Sequence, residues 1–534
     1  MKANVEREQV ARGGAVMLLV AMALAAACAI VYELIIATIS SYLLGNSVYH
    51  FSITIGVFMV SMGLGSFLTR FMKSRLVERF IVVEVALGII GGGSAVALYG
   101  MYVVVGSDAA YSAAMFGVIV VVGSLVGLEI PLLTRILNER GGLRTALANT
   151  LTFDYVGALV GSVAFPMILL KYVGLVRTGF VMGLVNVIAG ALLVPQSEGG
   201  VRRRLGVAGG AAAASAVLIL AIAWEPAITA ALERALYDSP TITSQQSPYQ
   251  KLTVTRRGKT WPEPEASGQE PPVVAKRGND LRLFIDGQIQ FSSVDEYRYH
   301  EALVHPAMSA AQSRESVLIL GGGDGLAARD VLRHEDVAEI VLVDLDPRII
   351  ELCSTHPEIA ALNEGALTDP RVHVVTRDGY KFVEQAARGF DVVIIDLPDP
   401  NHETLSKLYS VEFYRLVARV LNTGGAVVTQ STSPFFARAA FWSIHRSLEA
   451  AGLHVAAYHT NVPSLGDWGF NLATDRPIDP NALDVRVETL FLTAEQMPAM
   501  FRFGKDADEI DAQVNTLLRP VLMHYYDDDR WGYY

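Results

Sequence analysis

Cysteine is almost missing from this chain of 534 residues: Cys28 and Cys353 are the two, and they lie in different halves. This argues against a disulfide framework, although a domain without cysteine pairs can work on either side of a membrane. A basic excess is missing as well. With 43 Lys and Arg against 54 Asp and Glu the net charge is -11, and no basic stripe offers itself to nucleic acid. Charge of either sign is scarce, at 18% of residues against 51% hydrophobic, which is too apolar for a wholly soluble enzyme.

The apolar excess is confined to the first half. From Ala15 to Trp224, apolar stretches of about 20 residues, the length a membrane-crossing helix needs, alternate with short polar breaks. Seven spans are expected, at about 15–37, 48–69, 80–105, 109–134, 151–170, 174–194 and 205–224. Lys2, Arg7 and Arg12 before an Ala-rich run to Cys28 imitate a signal peptide. The run continues through Ile30, Leu34 and Ile36, so a first membrane helix is the better reading. Small residues such as Gly63 with Gly65, Gly91 to Gly93, and Gly157 with Gly161 favour close helix packing and a bundle rather than a loose anchor.

Loop charges set an orientation. An N-terminus inside collects Arg70, Lys73, Arg75, Arg79, Arg135, Arg140, Arg144 and Arg202 to Arg204 on the cytoplasmic face, leaving Lys171 and Arg177 outside. Seven spans would then place the second half outside, whereas the nucleotide substrate argued for below is made in the cytoplasm. A cytoplasmic second half is the expectation, with the Gly- and Ala-rich segment Gly206 to Ala214 as the weak span that is re-entrant or interfacial. Glu33 beside Tyr32, Glu84, Glu129 before Pro131, and Asp154 beside Tyr155 lie at or near membrane depth. They read either as a cation site or path, or as span-end groups within reach of water, with Glu129 paired to Arg135.

After Trp224 a polar connector leads to the strand-like runs Lys251 to Arg256 and Leu281 to Ile285, the latter followed by an Asp286-Gly287 turn. The Pro-, Glu- and Gly-rich residues between them, about 257–280, read as a disordered insertion in a hairpin. From Ser316 short apolar runs alternate with helical stretches, which implies a parallel sheet covered on both faces and a doubly wound nucleotide fold. Chemistry in such a fold sits at the carboxyl ends of the strands. There the chain places Gly321, Gly322, Gly323, Asp324 and Gly325; then Asp344 and Asp346; then Asp378 with Gly379; then Asp396 and Asp399. Four strand ends tipped with acids in one crevice repel each other, and a cationic ligand compensates. That chemistry is a sulfonium nucleoside with an amine rather than a phosphate-rich dinucleotide.

In order, the motifs SPYQ ending at Gln250, LFIDGQIQ ending at Gln290, DEYRYHE with Tyr299 and His300, LILGGGDG, VDLD, RDGYKF and IIDLPDP appear. From Ser247 to Thr474 the chain resembles the polyamine aminopropyltransferases, the spermidine synthases, and its helical first half resembles that of their membrane-attached bacterial members. The resemblance implies a Rossmann-like sheet of the S-adenosylmethionine methyltransferase type. The implied reaction is transfer of an aminopropyl group from decarboxylated S-adenosylmethionine, a co-substrate rather than a tightly bound cofactor, to putrescine or a related amine. It implies that Gln250, His300, Asp344, Asp378 and Gly379 hold the nucleoside, together with the Gly321 and Gly323 turn. Asp324 holds the aminopropyl ammonium, Asp396 is the general base, and Tyr299 orients the amine near Asp399 and Gln430. No metal is implied. A homo-oligomer, dimer or tetramer, at a bacterial inner membrane is expected.

The chain departs from that family at Leu397 and Pro398, where two small hydroxyl residues are usual, and within Asn401, His402 and Glu403, where a Gly-Pro is usual. Ser464 and Leu465 stand where an amine-contacting Tyr is expected, while Trp468 and Phe470 remain. The competing functions are a methyltransferase, which Asp324 and Asp396 oppose, and a non-catalytic polyamine-binding or transport protein, whose mark would be loss of the base. The expected divisions are a membrane domain over 1–224, a linker over 225–246, a small β subdomain over 247–310, a Rossmann-like domain over 311–490 and a tail over 491–534. The tail is read as solvated, with docking near the active site or a partner subunit as the alternative.

Overall fold

The computed structural model describes the chain apart from residues 1, 45–46, 106, 199, 238, 259–278, 402 and 528–534. It divides into two units, Met1–Thr241 and Ile242–Tyr534.

The first unit is helical. Its elements are α1 (Lys2–Leu44), α2 (Ser47–Leu68), α3 (Leu76–Gly92), α4 (Ser94–Val105), α5 (Asp108–Gly141), α6 (Leu143–Ala164), α7 (Leu175–Ala191) and α8 (Val201–Tyr237). Among the described residues 6 helices are long and apolar enough to cross a membrane, or up to 7 crossings if α3 and α4, bent by 42° to each other, count as one. The bend falls in the run of glycines at 91–93, where backbone freedom makes a break cheap. Small residues bring the other helices together. A Cβ on Gly127 would lie 2.0 Å from the Met62 carbonyl, and one on Gly157 would lie 2.2 Å from that of Ala23. Of the pair Gly63 and Gly65, only Gly65 faces a neighbour: a Cβ there would meet the Ser124 carbonyl at 2.0 Å, whereas one on Gly63 meets nothing within 4 Å.

Three expectations for this unit need correction. Helix α8 is continuous through Gly206 to Ala214 and runs on to Tyr237, so 225–237 is helix rather than linker. Ala227, Ala230, Ala231, Leu232 and Ala235 are strong helix formers and carry it past Pro226. Glu84 is fully buried rather than within reach of water. Glu129 does not pair with Arg135, whose guanidinium donates to the Thr69 carbonyl at 3.2 Å.

The second unit begins with a four-stranded sheet, β1 (Thr241–Gln246), β2 (Lys251–Arg257), β3 (Asp280–Ile285) and β4 (Gln288–Ser292), in that order. Strand β1 occupies residues read as linker. Asp286 and Gly287 turn β3 into β4 with positive φ, and the Asp286 carboxylate accepts from the Lys251 N–H at 2.8 Å. The insertion expected between β2 and β3 lies, apart from its ends, outside the described residues.

Helix α9 (Glu296–Ala310) leads into a seven-stranded sheet of order β10-β11-β9-β8-β5-β6-β7. Its strands are β5 (Ser316–Gly321), β6 (Glu339–Asp344), β7 (Val372–Thr376), β8 (Phe390–Asp396), β9 (Leu421–Gln430), β10 (His454–Val462) and β11 (Gly466–Thr474). Strands β5 to β9 pair in parallel, and β10 and β11 are antiparallel. Val317 to Leu320 and Val392 to Ile395 are wholly buried, because helices cover both faces. These include α10 (Leu326–Leu332), α11 (Pro347–Thr355), α12 (Gly379–Gln385), α13 (Val411–Val420) and α14 (Arg438–Ala450). The chain moves outward from β5 to β7 and returns to β8 on the other side of β5. That reversal opens a crevice at the carboxyl ends of β5 and β8.

The residues read as a solvated tail pack onto this unit. Leu492, Met497, Met500 and Leu522 are buried, and the buried Glu301 carboxylate accepts from the N–H groups of Leu490, Phe491 and Leu492 at 2.7, 2.9 and 2.9 Å. The final described helix is α15 (Leu522–Asp527). Apolar residues spaced irregularly along an acidic stretch give no periodic signal, which is why the solvated reading was preferred over the docking alternative.

Candidate active site

Strand register builds the centre of the crevice. Gly321, at the end of β5, pairs directly with Asp396, at the end of β8. Gly321 has φ +83°, and a Cβ there would lie 2.0 Å from the Asp396 carbonyl, so no other residue fits this approach. The Gly322 N–H donates to that same carbonyl at 3.0 Å. A Cβ on Gly323 would lie 2.5 Å from Asp344 Oδ2, which keeps the glycine turn against the end of β6. Asp324 follows, and its Oδ1 accepts from the Leu326 N–H at 2.9 Å, fixing the carboxylate at the start of α10.

Helix α9 supplies the opposite wall. The Tyr299 hydroxyl donates to Asp396 Oδ1 at 2.7 Å, and its ring rests on Phe470 and Trp468 of β11, with centroids 5.4 and 6.5 Å away. Next to it, a ring nitrogen of His300 and carboxylate oxygens of Asp324 and Asp396 lie within 4.8 Å of one another. His300 Nδ1 sits 3.1 Å from Glu296 Oε2, and both Glu296 oxygens accept from Arg329 at 3.0 Å. Burial opposes a charge on His300, but the Glu296 hydrogen bond and the charges of Asp324, Glu296 and Asp396 outweigh it and hold the ring up to about 9. The two carboxylates suit a ligand that brings N–H donors or positive charge.

The acids respond to burial. Asp396 is pushed up to about 6 by desolvation and by the neighbouring Asp324 charge, against the pull of His300 and the Tyr299 hydrogen bond. Asp344 is also raised to about 6, by burial first, although its Oδ1 accepts from the Asp346 N–H at 2.9 Å. A carboxyl poised near neutrality can exchange a proton with a bound amine.

Asp399 forms a second station. Burial raises it to about 6 against hydrogen bonds from Tyr526 at 3.0 Å, Gln430 at 3.2 Å and Thr432 at 3.4 Å. The Gln430 amide nitrogen also donates to the Leu397 carbonyl at 2.6 Å, and its oxygen accepts from the Thr432 N–H at 3.0 Å. Gln430 therefore shapes the loop over 397–399 instead of standing as an open amine contact. Tyr409 holds the same loop, donating to the carbonyls of Leu397 and Pro398 at 3.1 and 3.0 Å. These backbone contacts give the departing residues Leu397 and Pro398 a fixed place without side-chain hydroxyls.

The structure thus gathers Tyr299, His300, Gly321, Gly323, Asp324, Asp344 and Asp396, with Asp399 and Gln430 beside them. Asp378 and Gly379 are placed at the end of β7, where Asp378 caps α12 through the Lys381 N–H and binds Lys407 at 2.9 Å. Partial burial opposes its charge, but Lys407 and the helix N-terminus lower its carboxyl below the usual range. Gln250 lies in the β1–β2 turn, where its carbonyl accepts from the Ser247 N–H. Sequence reasoning missed Glu296, Arg329, Tyr409 and Tyr526. The i, i+4 spacing of Glu296 and His300 was available as a signal; the other partners are far away along the chain.

The spermine/spermidine synthase domain family matches residues 296–480. The chain is 38% identical over 509 residues to a polyamine aminopropyltransferase of Oceanobacillus iheyensis, covering 94% of each. It is 40% identical over 532 residues to polyamine aminopropyltransferase 1 of Ralstonia nicotianae, covering 98% of this chain and 97% of the relative. With the polyamine aminopropyltransferase of Mycobacterium tuberculosis it shares 38% over 531 residues, covering 97% and 96%. Among solved structures, spermidine synthase from Thermotoga maritima aligns with a TM-score of 0.41 at 25% identity, covering 49% of this chain and 84% of that one.

Proposed function

This chain belongs to the polyamine aminopropyltransferases, and from that membership and the site geometry we infer that it is an enzyme transferring an aminopropyl group from decarboxylated S-adenosylmethionine to an amine, forming spermidine or an analogue. The observation that carries the inference is the Asp396 carboxylate, 2.7 Å from the Tyr299 hydroxyl and beside Asp324 and His300 in one buried crevice.

Asp344, Asp378, Gly379, Gln250 and His300 are assigned to the nucleoside, with the Gly321 to Gly323 turn letting the ligand approach the backbone. The Asp344 carboxylate, at the end of β6, is placed to accept from ribose hydroxyls. Asp324 attracts the terminal ammonium of the aminopropyl arm. Ordinary S-adenosylmethionine would set its own carboxylate against Asp324, a like-charge clash that opposes methyl transfer.

The acceptor amine has a pKa of about 10 and arrives as an ammonium without a lone pair. Asp396 takes one proton from it, and Tyr299 keeps the carboxylate oriented. The freed nitrogen attacks the methylene carbon next to the sulfonium. The carbon–sulfur bond breaks, its electron pair returns to sulfur, and neutral 5'-methylthioadenosine leaves. Asp399 and the residues around it are assigned to the far ammonium of the amine. Holding the two substrates in line supplies much of the rate.

The test is purified full-length protein with decarboxylated S-adenosylmethionine and a panel of amines, reading methylthioadenosine release. Product with putrescine is expected; none with any amine overturns the assignment.

We assign the helical unit to a bacterial inner membrane, supported by its six long apolar helices. The α/β unit is placed on the cytoplasmic face because its nucleotide is made there. If α3 and α4 enter and leave by one face, the crossings are even and the chain returns to the side of its N-terminus; the Arg-rich loops argue instead for seven crossings. A periplasm-specific reporter fused after Tyr534 should stay silent, and activity from it would reverse the assignment. A homo-oligomer, dimer or tetramer, is proposed on family membership, with light scattering as its measurement.

A further inference from the structure

Among the buried side chains of the helical unit whose oxygens find no hydrogen-bond partner among the described residues, four are two acids, an amide and a phenol. Asn186 Nδ2 on α7 donates to Glu84 Oε2 on α3 at 2.6 Å. Beyond that bond, Glu84 Oε1, Asn186 Oδ1, Glu129 Oε1 on α5 and the Tyr32 hydroxyl on α1 have no hydrogen-bond partner among the described residues. These residues are at most 1% exposed. The two carboxylates interact electrostatically with each other and with Tyr32, so the four groups form one cluster rather than scattered defects. The Cys28 thiol of α1 feels both carboxylates, and Glu129 also feels the Asp154 charge of α6. Among the described residues, neither carboxylate has an Arg or Lys partner.

The packing makes room for this cluster. A Cβ on Gly190 would lie 2.8 Å from Glu84 Cβ, and one on Gly91 would lie 2.9 Å from the Tyr32 ring. The Glu84 and Tyr32 side chains therefore each pass over a glycine. Burying acceptor oxygens without donors, and two carboxylates without a counter-charge, costs several kcal/mol unless protonation or a cationic ligand supplies what is missing.

We propose that Glu84, Glu129, Asn186 and Tyr32 form a cation site in the helical unit that takes the ammonium group of an alkylamine. An ammonium head carries three N–H donors, which match the three orphaned acceptors on Glu84, Glu129 and Asn186, with the phenol as a fourth contact. An alkali ion needs more oxygens than this, and the usual extra source is carbonyls freed by an unwound helix. Here α1, α3, α5 and α7 are helical through all four residues. The ligand shares the chemistry of the enzyme's amine substrate and product, yet the site lies in the other unit.

The inference rests on the helical unit being membrane-embedded, which carbonate extraction of membranes reports separately. The test is carbodiimide labelling of the full-length protein in detergent micelles, with modification at Glu84 and Glu129 read by peptide mass spectrometry. Methylammonium, putrescine or sodium chloride is added at equal ionic strength. Labelling of both residues should fall about tenfold with an amine at ten times its Kd and stay constant with sodium. Equal protection by sodium, no protection by either amine, or no labelling at all overturns the proposal. E84Q and E129Q should each abolish protection at the remaining Glu while methylthioadenosine release is unchanged. Failure of this site therefore reads differently from failure of the enzymatic assignment.

Discussion

In the α/β unit three buried carboxylates of the site region are met by donors: Asp396 by Tyr299, Asp399 by Gln430, Thr432 and Tyr526, and Glu296 by Arg329 and His300. Asp346, which accepts from the Arg348 N–H through Oδ1, keeps a buried Oδ2 without a partner among the described residues. In the helical unit Glu84 and Glu129 each keep a buried oxygen with no donor. Acids held by donors keep one geometry before any ligand arrives, which is what a proton transfer with a defined direction needs. The orphaned oxygens of Glu84 and Glu129 are what the proposed ammonium site would fill. Glycine follows the same division of labour. In the α/β unit Gly321, Gly322 and Gly325 supply positive φ at a turn, whereas Gly88 and Gly183 let α3 and α7 approach, with an added Cβ on Gly183 only 2.4 Å from the Gly88 carbonyl.

The largest effect that can break this contrast is at the base. Asp396→Asn should lower kcat by about 10²- to 10⁴-fold while calorimetric affinity for the nucleotide stays near wild type. Transfer within a few-fold of wild type would remove Asp396 from the proton path.

A stability comparison sharpens the contrast further. Glu296→Gln leaves the buried Arg329 with Asp330 as its remaining carboxylate partner and should cost about 1–3 kcal/mol in urea unfolding of the α/β unit. Glu84→Gln, which removes an unpaired buried carboxylate, should cost nothing or raise the stability of the helical unit. Equal losses from the two substitutions would erase the distinction.

The pH profile of kcat/KM is next. Asp396 must be ionised to act, and its raised carboxyl ionises through about 6, so the rate should fall about tenfold per unit below that value. His300 loses its proton above about 9, which sets an alkaline limb. In Glu296→Gln the alkaline limb should move down, because the hydrogen bond and charge that hold the His300 proton are gone; an unmoved limb would detach it from His300.

The smallest effect concerns the tail. Tyr526→Phe removes one hydrogen bond to Asp399, worth about 0.5–1.5 kcal/mol, and should raise KM for the amine a few-fold with kcat and nucleotide KM unchanged. A change in kcat alone would make Tyr526 a structural residue of the loop.

Much of the site was legible because its signals are local. Asp324, Asp344 and Asp396 each close a short apolar run, and strand ends of a doubly wound sheet converge whatever their order in the chain. Gln430 was legible as a site residue but not in its role, since only the folded loop shows its amide spent on Leu397 and Thr432.

By itself the sequence determined the two kinds of unit, helical and α/β, and the acids at the strand ends, because hydrophobic period and turn chemistry act over a few neighbouring residues. Tertiary structure alone decided which acids of the helical unit are buried, that Arg329 holds Glu296, and that the tail brings Tyr526 to Asp399 across 127 positions. Those contacts depend on which surfaces meet after folding, and burial turns a solvated charge into one that must find a donor or a ligand.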